Sequence, residues 1–249
     1  MEIIPGVYQI THRTVNIIVI VEEELTLIDT GWSGSSSKIV SFIHSLGRSP
    51  EEITLIILTH NHLDHVGGLA GLRNFTTAKV AIHKADIGAL DRQSANPKFA
   101  QKLLGIPFFS PLRPMFYLEP HEVDLQLEGG EVFSPLGGLE VIHTPGHTPG
   151  SISLYAPQKK LLIVGDALNS PPMPTRARLR FSSKLVCSDL TQAIDSVKQI
   201  AQLDFDIVCF GHGKPLTKDA SAKVRHLARR LVGEVDSESQ MGYLTKSRL

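Results

Sequence analysis

Residues 57–68 read ILTHNHLDHVGG, an apolar run that ends in His60, His62, Asp64 and His65. In an extended chain, side chains two apart point the same way. His60 and His62 can therefore face one cation, while Asp64 and His65, where the chain turns, face a second. An HxH alone is common on protein surfaces, and a metal needs three or four ligands. The added acid and third histidine, at fixed spacing behind a buried run, are what point to two adjacent metal pockets. Gly67 and Gly68 follow, and they permit a close backbone approach or a positive φ where the chain leaves the site.

Working outward, residues 53–58 are an unbroken β-branched and leucine run, suited to a strand buried on both faces. Upstream, strands are expected over 7–10, 15–21 and 25–28, the last ending in DTG. There Asp29 could accept backbone N–H bonds and hold a neighbouring loop, or simply form an Asx turn. Ile39, Phe42, Ile43 and Leu46 fall at helical spacing within 34–46, with serines available as the N-cap. Downstream the pattern predicts a short helix over 66–75, a strand over 79–83 and a helix over 84–91, with His83 as a packed strand residue. Further strands are expected over 123–127, 131–133, 139–143, 152–155, 161–164 and 207–210. Helices are expected over 190–203 and 218–232. Both halves run strands first and helix afterwards, and nothing resembling a linker cuts the chain. Residues 1–249 therefore read as one α+β domain, two sheets face to face with helices outside.

Composition sets limits on function. Lys and Arg number 25 and Asp and Glu number 25, so there is no electrostatic case for nucleic acid. Cys187 and Cys209 lack CxxC spacing and read as free thiols in a reducing compartment. There is no basic leader and no apolar run near the ~18 residues that span a bilayer. A cytoplasmic protein without a membrane partner is expected, acting on a small molecule. Between 96 and 120, five prolines alternate with Phe99, Phe108, Phe109, Phe116 and Tyr117. Regular structure cannot persist there, and the segment is expected to be a lid insertion. Phe108, Phe109 and Tyr117 are then candidate substrate contacts. In RARLRF the arginines alternate, so Arg178 is a candidate anion contact, although a charged sheet edge explains the pattern equally simply.

Three further ligand candidates share one feature with the first cluster: each follows an apolar strand and is flanked by glycine or proline. They are His147 in TPGHTPG, Asp166 in VGDAL and His212 in FGHGKP. Strand ends of a sandwich can converge at one edge, and rigid turns hold ligands there with little freedom to lose.

Taken in order, LIDTG, THNHLDH, TPGHTPG, GDAL and FGHG resemble the metallo-β-lactamase superfamily over residues 5–215. The resemblance implies a four-layered αβ/βα sandwich with two divalent metal ions at the edge where these strands end. Zn2+ is the first expectation, with Mn2+ or Fe2+ as substitutes. It implies that His60, His62 and His147 bind one ion and Asp64, His65 and His212 the other, with Asp166 bridging and Asp29 supporting the histidine loop. It also implies hydrolysis of a small ester, thioester or lactone by a metal-bridging hydroxide, with Asp64 and Asp166 as the catalytic carboxylates, Asp64 orienting the nucleophile or shuttling its proton. Such a hydroxide exists at neutral pH because binding lowers the pKa of water from 15.7 to about 7 at a single zinc.

Some departures narrow the branch. Asp166 stands where one β-lactamase class has cysteine, and His62 stands where the flavodiiron type has glutamate. Glyoxalase II has a similar first motif but a longer helical C-terminal domain. Acyl-homoserine lactonases carry a tyrosine after the bridging aspartate; none lies between Asp166 and His212, which leaves Tyr117 as the substitute. Three rival readings are a mononuclear iron sulfur dioxygenase of the persulfide type, a phosphodiesterase and a metal-free binding protein. Metal count separates the first, zero net charge weakens the second, and the filled ligand positions oppose the third.

Overall fold

Strand β3 (Val15–Val21) is buried along almost its whole length, which requires cover on both of its faces. Side chains alternate across a strand, so Ile17 and Val19 enter one apolar cluster while Ile18 and Ile20 enter another. The computed structural model describes residues 1–90, 123–170, 179–181 and 187–231, and these show what supplies the cover.

Seven strands form the first sheet in sequence order: β1 (Glu2–Ile4), β2 (Val7–His12), β3, β4 (Leu25–Ile28), β5 (Ile53–Ile57), β6 (Lys79–His83) and β7 (Leu125–Leu127). Pairing is antiparallel up to β4 and parallel beyond it. The second sheet is built from β8 (Val132–Phe133), β9 (Leu139–His143), β10 (Ile152–Ala156) and β11 (Leu161–Ile163). Its far edge is β14 (Ile207–Cys209), parallel to β11. A small antiparallel pair, β12 (Leu168–Asn169) with β13 (Arg180–Phe181), lies apart from both sheets.

Three apolar clusters fill the three gaps of a four-layer stack. The first joins Ile56 and Val80 of the first sheet to Ile39 and Ile43 of α1 (Ser36–Ser45), Val66 of α2 (Leu63–Val66) and Leu69 of α3 (Leu69–Leu72). The second lies between the sheets, where Ile20 and Ile57 share a cluster with Val141, Leu154, Ile163 and Cys209. The third joins Leu162 and Val208 to Ile194 and Val197 of α5 (Leu190–Ile200) and Val224 of α6 (residues 220–231). Each fully buried aliphatic or aromatic side chain contributes about 1.5–3 kcal/mol. The expected αβ/βα sandwich is the observed fold. Asp189 caps α5, its carboxylate accepting from the Gln192 N–H at 3.0 Å. No helix among the described residues is long and apolar enough to cross a membrane.

The structure corrects several local expectations. The short helix predicted over 66–75 begins earlier and is split: α2 ends at Val66, α3 starts at Leu69, and α4 (Lys84–Leu90) comes later. Asp64 and His65 therefore sit on a helical turn rather than in a loop. The split falls where the chain presses against the loop after β4. A Cβ on Gly68 would collide with the Thr30 carbonyl oxygen, and one on Gly67 would meet Leu63 O and Ser33 N at 2.5 and 2.7 Å. Strands β1, β12 and β13 are too short to show a period and were not expected. The proposed lid at 96–120 with Phe108, Phe109 and Tyr117 lies outside the described residues, as does Arg178.

At one edge the halves are joined by polar groups buried in the β2–β3 hairpin. Asn16 Nδ2 donates to the carbonyls of Phe210 at 2.9 Å and Gly213 at 2.7 Å. Its Oδ1 accepts from Gln9 Nε2 at 2.9 Å and Thr11 Oγ1 at 2.8 Å. Asn16→Ala leaves these groups short of partners, and each buried polar atom so stranded costs about 1–3 kcal/mol. The variant should unfold at clearly lower urea than the wild type; an unchanged midpoint would show that the latch contributes nothing.

Candidate metal centre

Four strand ends deliver the site. β5 stops at Ile57, and the chain continues through His60 to His62, whose extended φ of −73° and ψ of 145° place it at the start of α2. That turn carries Asp64 and His65 inward. His147 comes from the loop after β9, Asp166 from the loop after β11 and His212 from the loop after β14. Ligand atoms gather in three groups, each within 4.8 Å: His60, His62 and His147; His60, His65 and Asp166; and Asp64, His65 and His212. All seven sequence-derived ligand candidates are in them.

Ring orientations follow from what holds each outer nitrogen. Thr59 Oγ1 donates its one proton to Asp29 Oδ2 at 2.8 Å, so it accepts from His60 Nδ1 at 3.0 Å. His65 Nδ1 donates to Asp29 Oδ2 at 2.7 Å, and His212 Nδ1 donates to the Thr14 carbonyl at 2.8 Å. In all three rings Nδ1 carries the outward proton, and Nε2 turns into the site. His62 is reversed: its Nδ1 faces inward, 2.9 Å from His147 Nε2. Asp166 stands between the pockets, with Oδ1 3.6 Å from His65 Nε2 and Oδ2 3.5 Å from His147 Nε2 and 3.3 Å from His212 Nε2. Asp64 Oδ2 lies 3.2 Å from His212 Nε2.

Whether cations fit here is answered by the polar atoms left over. His60 Nε2 and His65 Nε2 are buried and accept or donate no hydrogen bond among the described residues. Such an atom costs about 1–3 kcal/mol unless something binds it. Six neighbouring nitrogen and carboxylate ligands plus one shared carboxylate are what borderline divalent ions take. The residues present fit two of them. Gly211 leaves the room, since a Cβ there would collide with Asp166 Oδ1 and crowd His65 Cε1 at 2.7 Å.

A profile of the metallo-beta-lactamase superfamily matches residues 10–212. The chain belongs to that superfamily. It is 28% identical over 244 residues to the probable metallo-hydrolase YflN of Bacillus subtilis, covering 91% of each chain. It is 28% identical over 148 residues to the hydroxyacylglutathione hydrolase GloC of Haemophilus influenzae, 59% of this chain and 62% of that one. The crystal structure of the metallo-beta-lactamase family protein TTHA1429 from Thermus thermophilus superposes with a TM-score of 0.72 at 21% identity, covering 95% of this chain and 82% of that one. That last likeness speaks for the fold.

Within this superfamily site the DTG turn supports the histidine helix from behind. Asp29 adopts a φ of 62°, a left-handed conformation that aspartate tolerates better than most residues. It accepts from Thr59 N at 2.7 Å as well as from His65. The next two N–H groups, of Thr30 and Gly31, donate to the His65 carbonyl at 2.7 and 3.1 Å. Asp29 is thus a buried carboxylate holding the histidine loop, not a simple Asx turn.

Sequence reasoning missed three other features. Asp86 on α4 is buried and holds two ligand loops from behind; nothing distinguishes it in the sequence from an ordinary acid in a first helical turn. Gln9 and Asn16 did leave a signal, as amides interrupting apolar strands that must be buried. Cys187 is half-buried, and its thiol is pushed up to about 11 by burial and by the charge of Asp166. That thiol is protonated at neutral pH. Cys209 is core, as expected, with a thiol raised to about 12 by burial. His83 stacks on His143 with ring centres 3.9 Å apart and takes no part in the centre.

The titration of the metal-free site is set by position. Burial holds His60 well below its ordinary value, helped by the neighbouring imidazoles, and it brings His62 down to about 3. Burial also opposes a charge on His65 and His212. Asp29, Asp64 and Asp166 outweigh it at His65, raising that group to about 9, and hydrogen bonds to Asp166 and Asp64 raise His212 to about 11. Burial alone would raise Asp64, but His65 and His212 bring it down to about 2.

The sign of the pH dependence follows. Raised histidine values mean that this ion-pair stability is complete below the unfolded value near 6.5 and is lost as pH rises through about 9 and about 11. A ligating imidazole is neutral, so cations entering at neutral pH must expel protons from His65 and His212. Calorimetric zinc titration in buffers of different ionisation enthalpy should show proton release, with affinity rising with pH. Heats independent of the buffer would mean that both rings are already neutral.

Proposed function

We propose that the chain is a two-metal hydrolase of a small ester, thioester or lactone. The single observation carrying this reading is Asp166, whose two oxygens lie 3.6 Å from His65 Nε2 and 3.5 Å from His147 Nε2, one ligand from each pocket. Superfamily membership and relatives with metallo-hydrolase names support hydrolysis. The likeness to a hydroxyacylglutathione hydrolase supports an acylated small molecule as substrate. Equal numbers of acidic and basic residues favour such a substrate over nucleic acid.

In this reading His60, His62 and His147 hold one divalent ion, zinc before manganese or iron, while Asp64, His65 and His212 hold the other. Asp166 reaches both. When bound, such ions would make hydroxide available at neutral pH and polarise the carbonyl oxygen of the acyl group to be cleaved. The chain's residues do the rest. Asp166, nearly buried and held ionised by the surrounding imidazoles, fixes the spacing of the two pockets. Asp64 is the more exposed carboxylate, its side chain 21% accessible against 9% for Asp166, and is the one able to pass a proton to solvent. Asp29 keeps His65 from rotating as charge develops.

Elemental analysis should find two metals per chain. Asp166→Ala should lose several decades of turnover while keeping its fold, because two-metal catalysis needs both ions at fixed separation. The assay is a panel of ester, thioester, lactone and phosphodiester substrates, with chelation abolishing turnover and added zinc restoring it. A stoichiometry of one after metal loading, or less than about a tenfold loss in Asp166→Ala, would overturn the two-metal reading.

A further inference from the structure

Two buried carboxylates stand behind the metal centre, and they hold different parts of it. Asp29 binds Thr59 and the His65 ring. Asp86 contacts neither His65 nor His212. Its Oδ2 accepts from Asn61 N at 3.1 Å and from Thr148 Oγ1 at 2.7 Å, and its Oδ1 accepts from Gly150 N at 2.7 Å. Asn61 Nδ2 adds a longer bond to the Asp86 carbonyl at 3.4 Å.

The donors' places in the chain matter. Asn61 lies between His60 and His62; Thr148 follows His147; Gly150 closes the same TPGHTPG loop. One carboxylate therefore ties together both segments that supply the three-histidine pocket. Its only companion across this gap among the described backbone bonds is Ile152 N to Thr59 O at 2.9 Å, at the start of β10. His62 Nδ1 and His147 Nε2, which belong to these two segments, stand 2.9 Å apart. A buried carboxylate without hydrogen bonds would be a heavy cost, so its three donors and its position are mutually determined. Gly150 makes the fit close: a Cβ there would stand 2.5 Å from Asp86 Cγ and 2.7 Å from Oδ1.

We infer that Asp86 is the positioning residue of the His60, His62 and His147 pocket, acting through Asn61, Thr148 and Gly150, whereas Asp29 holds the His65 ring directly and His60 through Thr59. The inference rests on the two-metal reading for its meaning, but it makes a separate demand: perturbing Asp86 must weaken one site selectively.

The test compares the wild type with Asp86→Asn, Gly150→Ala and Asp29→Asn in the full chain, by zinc competition against a chromophoric chelator and by the visible spectrum of the cobalt(II) form. Asp86→Asn keeps the shape but turns an amide N–H2 toward at least one donor. Gly150→Ala keeps the carboxylate and displaces it. Both should lower the affinity of one metal by about 10–100-fold, the loss usual for an outer partner of a ligand set, and leave the other unchanged. Cobalt should lose the band of the three-histidine site first. Asp29→Asn, which loosens His65 directly and His60 through Thr59, should weaken both sites. Equal weakening of both sites in Asp86→Asn would reduce Asp86 to general support of the fold, and unchanged affinities would remove its role; either result overturns the inference. A wild type that binds a single metal would remove the two-metal reading on its own, and Asp86→Asn must then still weaken that site for the inference to stand.

Discussion

The centre depends on imidazole nitrogens that the protein keeps away from its own hydrogen bonds. His60 Nε2 and His65 Nε2 are buried without a hydrogen-bond partner among the described residues, against the strong tendency of buried polar atoms to be satisfied. Folding alone has no use for such atoms. They persist because the other side of each ring is held so firmly: Thr59 and Asp29 leave neither ring a way to turn its Nε2 elsewhere. The fold stores, at His60 above all, an unfavourable arrangement that a cation would relieve.

That storage explains why so much polar chemistry is buried at this one edge. Loops from four strands must meet to within a few tenths of an ångström, and apolar packing does not fix a loop backbone that closely. Each loop is instead held by side chains from a distant segment. Asp29 fixes α2, Asp86 joins the HxH segment to the His147 loop, and Asn16 with Gln9 fixes the Phe210–Gly213 turn. Glycine does the complementary work: at 211 only its missing side chain lets the His212 turn pass beside Asp166 and His65.

Much of this was legible in the sequence, for a physical reason. A ligand that must project from a strand end leaves a local mark, an apolar run followed by histidine or aspartate and then glycine or proline. All seven ligand candidates carry that mark, and the superfamily resemblance sorted them into two pockets. The layers followed from both halves running strands first and helix afterwards, and β5 from a run suited to burial on both faces, whereas the strand order came only with the structure. What failed was whatever depends on distant partners. Asp86 looks like any acid early in a helix, and its role exists only because Thr148 and Gly150 are brought to it across 62 and 64 residues. The early start of α2 was hidden because an alternating histidine pattern suits a strand, whereas contact with the loop after β4 imposes the helical turn and its break at Gly67 and Gly68.

The same centre explains how the chain can be folded before it is loaded. In a zinc finger the metal supplies the folding energy outright; here three apolar clusters do so independently of the site. The cost of assembling Asp29, Asp64 and Asp166 in one place is met meanwhile by protons on His65 and His212, both raised far above an ordinary imidazole. Those two protons offset part of the carboxylate charge in the metal-free protein. Cations entering the site would displace these protons and take over the pairing with the carboxylates. A site whose carboxylates are already paired with imidazolium in the metal-free protein is organised in advance for a cation, because the loops that carry them are fixed from behind by Asp29 and Asp86.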